Sequence, residues 1–194
     1  ENLFWVGGQL SKQHGKLLTY NATAKFGLIG DVIGDINITG DISTRFKLLG
    51  DSVTITGYGW FKNEEAPFLM KKFVSNHFIW DNDFSKVRNY RVGGELIVPH
   101  TYSRLNIGVE NVENYIYFNS DCLPQQHDGN VQVFSASLQQ NFKLGILNWD
   151  NKLTYQTSSD QKIIPLPKFS IYSNLYLLFK VANVLDVQLG IDCD

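Results

Sequence analysis

From residue 34 to residue 50 the chain reads GDINITGDISTRFKLLG, and polar and apolar positions alternate through it with a period of two. Ile36, Ile38, Ile42, Phe46 and Leu48 share one parity with Gly34, Gly40 and Thr44, while Asp35, Asn37, Thr39, Asp41, Ser43, Arg45 and Lys47 fill the other. Such a period belongs to a strand whose two faces meet different surroundings. The same pattern returns along the chain. Leu18, Tyr20, Ala22, Ala24, Phe26 and Leu28 oppose Thr19, Asn21, Thr23, Lys25 and Gly27. Val53, Ile55 and Phe61 oppose Thr54 and Thr56, with Tyr58 and Trp60 making that polar face less pure. Tyr90, Val92, Leu96 and Val98 oppose Asn89, Arg91 and Glu95, and Leu105, Ile107 and Val109 oppose Asn106 and Glu110. The phase then blurs from Asn111 to Asn114, which predicts a β-bulge.

Phe134, Ala136, Leu138, Phe142 and Leu144 oppose Ser135, Ser137, Gln139, Asn141 and Lys143. Trp149, Leu153 and Tyr155 oppose Asp150, Lys152 and Thr154; Phe169, Ile171, Leu175, Leu177 and Phe179 oppose Ser170, Asn174 and Lys180; Leu185, Val187, Leu189 and Ile191 oppose Asp186, Gln188 and Asp192. With a first strand from about Leu3 to Ser11, the pattern predicts roughly ten strands and almost no helix.

Strand length separates two environments. Soluble sandwiches use strands of about five or six residues, whereas a tilted strand crossing a bilayer takes about nine to eleven. Several of the predicted strands run to about eleven to fifteen, which favours a membrane β-barrel with its apolar face on lipid. The expected pore-lining positions are Asp35, Asn37, Thr39, Asp41, Ser43, Arg45, Arg91, Glu95, Glu110, Lys143, Lys152 and Lys180, several of them ionised groups that could not sit unpaired in lipid or a dry core. On the opposite parity, Lys86 and Arg88 are expected to reach headgroups from a strand end. Phe61, Tyr102, Tyr117, Phe118, Trp149, Tyr155 and Phe169 near strand ends read as interfacial girdles.

Link lengths point the same way. Short links at Lys47–Ser52, Val98–Ser103, Gly145–Leu147 and Ala182–Val184 interleave with long ones at Asn63–Phe84, Asn119–Gly129 and Ser158–Pro167, as periplasmic turns and extracellular loops do. The brief LIGDVIG link is the exception. If short turns are periplasmic, both ends of the chain fall on the extracellular side and LGIDCD lacks a terminal aromatic, so residues 1–194 are expected to be one internal segment of a larger barrel. The loop NEEAPFLMKKFVSNHFIWDNDF, rich in Phe68, Leu69, Phe73, Phe78, Ile79 and Trp80, is the candidate constriction or surface-binding element, with packing over the rim the plainer role.

Composition narrows function further. A formal charge of −2 and a pI near 6.1 provide no basic excess for nucleic acid. Seven inferred acidic and seven basic pore positions balance, so no ion preference follows, and cross-strand pairing is the simpler role for those charges. His14, His77, His100 and His127 are isolated, DCLPQQHDGN does not follow a calcium-loop spacing, and no nucleophile elbow or phosphate-binding loop is present. No cofactor or metal is therefore expected, and no enzymatic activity. Cys122 and Cys193 lie too far apart for a zinc ribbon, and a bridge between them is disfavoured. Gly7, Gly8, Gly93 and Gly94 are expected to relieve crowding or permit bends.

Two stretches, SNHFIWDNDFSKVRNYRVGGELIVPHTYSRLNIGVENVENYIYFN and KFSIYSNLYLLFKVANVLDVQLGIDCD, resemble segments of the "putative porin" family of Bacteroidetes outer membranes. The resemblance runs from about Lys16 to the end. It implies an outer-membrane location and passive transport, and it brings no catalytic residues.

The reading is thus an all-β, antiparallel up-and-down transmembrane β-barrel segment of about ten strands, lining a channel for passive diffusion of small hydrophilic solutes across the bacterial outer membrane. Its expected partners are outer-membrane lipid, those solutes, and a second copy or a surface lipoprotein, with no nucleic acid. The alternatives are the barrel of a TonB-dependent transporter and a soluble all-β carbohydrate-binding module.

Overall fold

A computed structural model describes residues 2–15, 17–48 and 50–194. Lys16, where the resemblance begins, and Leu49, inside the Lys47–Ser52 turn, lie outside the described residues. The strands in chain order are β1 (Phe4–Lys12), β2 (Leu18–Ile29), β3 (Ile36–Leu48), β4 (Asp51–Glu64), β5 (Lys72–Val74), β6 (Ile79–Asp81), β7 (Val87–Val98), β8 (Ser103–Glu113), β9 (Ile116–Phe118), β10 (Pro124–Gln126), β11 (Asn130–Leu144), β12 (Leu147–Ser158), β13 (Phe169–Val181) and β14 (Leu185–Cys193). Ten of them form one antiparallel sheet in the order β1-β2-β3-β4-β7-β8-β11-β12-β13-β14. The pairs β5–β6 and β9–β10 are small hairpins within the long loops. A single helical turn, α1 (Phe68–Lys71), precedes β5.

The sheet is an up-and-down meander whose edges, β1 and β14, do not pair with each other, so it is an open wall compatible with part of a barrel. Thr39, Trp60, Arg91, Glu110, Val133 and Ser158 are successive partners in one row from β3 to β12. Measured from this row, the turn ends move along the strand direction across the sheet, from Lys12 in β1 through Leu144 in β11 to Val181 in β13. The drift averages about 1.5 residues per strand, and with a rise of about 3.3 Å and a spacing of about 4.8 Å it inclines the strands by about 45°, at the steep end of the tilt found in closed barrels.

Directly paired residues share a face, so the register carries the polar parity of all ten strands onto one side. The other side has no second layer: Ile38, Ile42, Ile55, Leu138, Leu153, Leu175 and Leu189 are all exposed. Val32, Ala66, Val112 and Val131 are buried instead near the long loops, with Val112 and Val131 paired on the polar-parity face.

That inversion corrects one expectation. The bulge predicted from Asn111 to Asn114 is absent: β8 pairs in unbroken register through Glu113 with both β7 and β11, and Asn114, in the left-handed region at φ 57°, follows its last residue. The phase blurs because the faces exchange polarity at the loop ends. Val112 turns toward the loop-covered side, while Arg88 and Glu113 occupy the other and form an ion pair at 2.8 Å. Arg88 is therefore matched by a neighbouring strand, where headgroup contact was expected.

Three interruptions of the apolar parity also have a physical cause. Gln140, Asn151 and Ser173 fall in one row with Ser103. The Ser103 hydroxyl donates to Gln140 Oε1, and Gln140 Nε2 donates to the Thr101 carbonyl at 2.6 Å. Ser173 Oγ donates to Asn151 Oδ1 at 2.9 Å and accepts from Trp149 Nε1 at 2.9 Å. Polar groups on an apolar face are tolerated when they satisfy one another. Replacing Asn151 with Ala removes the acceptor for Ser173, and a loss of about 1–2 kcal/mol in denaturant unfolding of the detergent-refolded protein is expected. No measurable change would show that the row is not coupled.

Candidate functional site

The polar face carries its densest chemistry where β4, β7, β8 and β11 adjoin. Tyr58, Gly93, Gly108 and Ser135 form one row, and Trp60, Arg91 and Glu110 the next. Tyr58 leans over Gly93, where a Cβ would come within 2.5 Å of its ring, and the Arg91 guanidinium lies over Gly108, where a Cβ would come within 2.8 Å. The two glycines thus make a floor on which a phenol and a guanidinium lie flat. Gly93 relieves crowding, as expected of it; Gly8, by contrast, has nothing within 4 Å of a Cβ.

Hydrogen bonds fix the cluster. Tyr58 Oη donates to Asn106 Oδ1 at 2.8 Å, and Trp60 Nε1 to Asn89 Oδ1 at 3.2 Å. Asn89 Nδ2 and Arg91 Nη1 donate to the two oxygens of Glu110 at 2.7 and 3.2 Å, and Arg91 Nη2 donates to Ser135 Oγ at 2.9 Å. The Arg91 guanidinium also stands 5.5 Å from the Trp60 ring centroid, within cation–π range. The Tyr58 and Trp60 rings are nearly parallel, 17° apart with centroids separated by 6.3 Å. Beside the cluster, Arg104 pairs with Glu95 at 2.7 Å.

The long loops fold over this face. Ile164 and Leu166, between β12 and β13, roof a cavity of about 460 Å³ floored by Asn89, Arg91, Glu110 and Ser135. Pro67 and Met70 roof an adjoining one of about 340 Å³, and both cavities share Val87, Asn89 and Tyr115. The β4–β7 loop is held by charge. Lys86 donates to the Asp35 carboxylate and to the Ile33 carbonyl, and the Glu65 amide donates to Asp35 Oδ1 at 3.0 Å. Glu65 in turn pairs with Lys71 at 3.0 Å, a hydrogen bond that raises the Lys71 ammonium above its ordinary range. Farther out, Phe73 stacks on Trp80 at 4.7 Å and Trp80 meets Phe118 of the next loop edge-on, while Phe68, Leu69 and Ile79 remain exposed.

The expected pore-lining residues distribute unevenly. Arg91 and Glu110 form the centre of the cluster, and Glu95 pairs beside it. Thr39 and Asp41 share rows with Trp60 and Tyr58. Asn37 donates to Glu64 at 3.0 Å, and Ser43 shares a 2.6 Å hydroxyl contact with Thr56. Arg45 is exposed beside Thr54. Lys143 lies over the Tyr102 ring at 4.6 Å, Lys152 sits between Gln139 and Tyr172, and Lys180 pairs with Asp186 at 3.6 Å, all away from the cluster. Asp35 is buried beneath Lys86, which turns inward to it where headgroup contact was expected. Cys122 and Cys193 are free and exposed.

Sequence reading passed over Tyr58, Trp60, Asn89 and Asn106. The signal was present as two aromatics spaced by two on the otherwise hydroxyl-rich parity of β4.

No curated protein matches the sequence. The family described as "Putative porin" matches residues 1–194, the whole of the chain. With its long antiparallel strands, exposed apolar face and charge-paired polar face, the chain belongs to that porin family.

Proposed function

We propose that this chain forms part of the wall of an outer-membrane channel through which small hydrophilic solutes diffuse passively. The observation that carries the reading is the segregation of the two faces. One face of a ten-stranded sheet is apolar and uncovered apart from the Arg88–Glu113 pair at its loop end, while the other holds the Arg91–Glu110, Arg104–Glu95 and Lys180–Asp186 pairs. A face of that kind is stable against lipid, where a strand must satisfy its backbone within the sheet and keep its ions on the wet side. The polar row from Ser103 to Ser173 fits the same environment because its groups bond to one another.

The complete reading frame, refolded in detergent and added to a planar bilayer, is expected to give stepwise single-channel conductance with little preference between cations and anions. A folded protein that inserts without conducting, or one that stays monomeric without detergent, would overturn the channel.

A further inference from the structure

The cluster on β4, β7, β8 and β11 does more than stabilise a wall. Cross-strand ion pairs would suffice for that, yet here two half-buried aromatic rings lie on the polar face where water is expected, next to a cavity with a polar floor and an apolar roof. From this arrangement we infer that Trp60, Tyr58, Asn89, Arg91 and Glu110 form a binding subsite for a neutral pyranose sugar, one of the solutes of the channel proposed above, on which this inference rests.

Three features select that chemistry. The Arg91 and Glu110 charges neutralise each other at 3.2 Å, so the floor exerts no net attraction on an anion or a cation. Asn89, Arg91 and Glu110 are bonded to one another, yet the second hydrogen of Asn89 Nδ2 and the further lone pairs of the Glu110 oxygens remain to donate to and accept from a solute hydroxyl. The rings supply flat apolar faces, complementary to the C–H bonds on one side of a pyranose, while the hydroxyls around its rim meet the polar edges. Arg91 Nε is also enclosed without an acceptor among the described residues, a donor that a sugar hydroxyl can engage through a small shift of the side chain. The cavity of about 460 Å³ is lined by Asn89, Arg91, Glu110 and Tyr115 and adjoins Trp60 through Asn89 and Arg91, and its volume lies within the range of small-ligand sites.

The Gly93 and Gly108 floor explains why Tyr58 and Arg91 lie low on the sheet. With side chains there, Tyr58 and Arg91 would be forced upright, and the shelf would become a ridge.

The test uses the complete reading frame refolded in detergent, with maltotriose as the probe and glycerol as the ringless control. Two independent readings are taken: block of single-channel current and change in tryptophan fluorescence. Maltotriose is expected to reduce current and shift fluorescence saturably, glycerol to do neither, and Trp60→Ala to raise the half-saturating concentration about tenfold. Trp60→Phe retains a ring and guards against misfolding; it is expected to bind more tightly than Trp60→Ala. Saturable fluorescence without conductance would keep the subsite and overturn the channel. Conductance with no response to maltotriose, or a response unchanged in both Trp60 variants, would overturn the subsite and leave the channel standing.

Discussion

Gly27→Ala is expected to destabilise the protein by about 3 kcal/mol, because the added methyl has no room. Gly27 lies on the polar parity of β2, and the compact turn Gly30–Val32 folds back over it. A Cβ there would meet the Val32 carbonyl oxygen at 1.9 Å and the Val32 Cβ at 2.9 Å. The nearest obstruction is backbone, which cannot rotate away as a flexible side chain can. The turn is also pinned by hydrogen bonds from the Gly27 amide to the Asp35 carbonyl at 3.0 Å and from the Gly34 amide to the Gly27 carbonyl at 3.1 Å. Relief must therefore displace the segment carrying Asp35, and with it the tether of the β4–β7 loop. Urea unfolding of the refolded protein measures the loss. Gly8→Ala is the control: with open space around its Cβ, it is expected to change stability by less than about 1 kcal/mol. Equal behaviour of the two variants would refute the packing argument.

Lys86→Met is expected to cost about 3 kcal/mol, for an electrostatic reason. The Asp35 side chain is only 4% exposed, so removal of its ammonium partner leaves a carboxylate that water cannot reach, held by the Glu65 amide. Removing one member of such a pair costs more than removing both, because the lone charge carries the desolvation penalty. The double variant Lys86→Met with Asp35→Leu is accordingly expected to recover most of the loss. Limited proteolysis between residues 65 and 86 provides a local reading: the single variant is expected to be cut faster than the parent. A single variant as stable as the parent, or a double variant worse than the sum of the two single changes, would show that the pair does not anchor the loop.

These two sites mark where sequence reading stopped. The brief LIGDVIG link stood out as an exception to the alternation of long and short connections; folding turned it inward over Gly27, where it meets a partner from a distant loop. Lys86 sat on the apolar parity next to Arg88 and looked like one of a pair of headgroup-seeking cations. Its partner, Asp35, is 51 residues away, and no local pattern encodes that meeting. The blurred phase after Val109 reads along the chain as a bulge; the unbroken pairing of β8 through Glu113, with Ile164 and Leu166 lining one cavity with Val112 and Val133, shows an exchange of polarity between faces instead.

By itself the sequence determined the architecture. Alternation with period two fixes strand, face and approximate length, because each side chain projects to the side opposite its neighbour. The ten long strands and the polar and apolar side of each are written in that local rule. Tertiary structure decided which residues on the polar face act together. Register brought Trp60 beside Arg91 and Arg91 beside Glu110, and the glycines of neighbouring strands determined which side chains lie flat. It also decided that Gln140, Asn151 and Ser173, three isolated exceptions along the chain, form one hydrogen-bonded row. Such pairings depend on the stagger between strands, a property of the assembled sheet that no single strand contains.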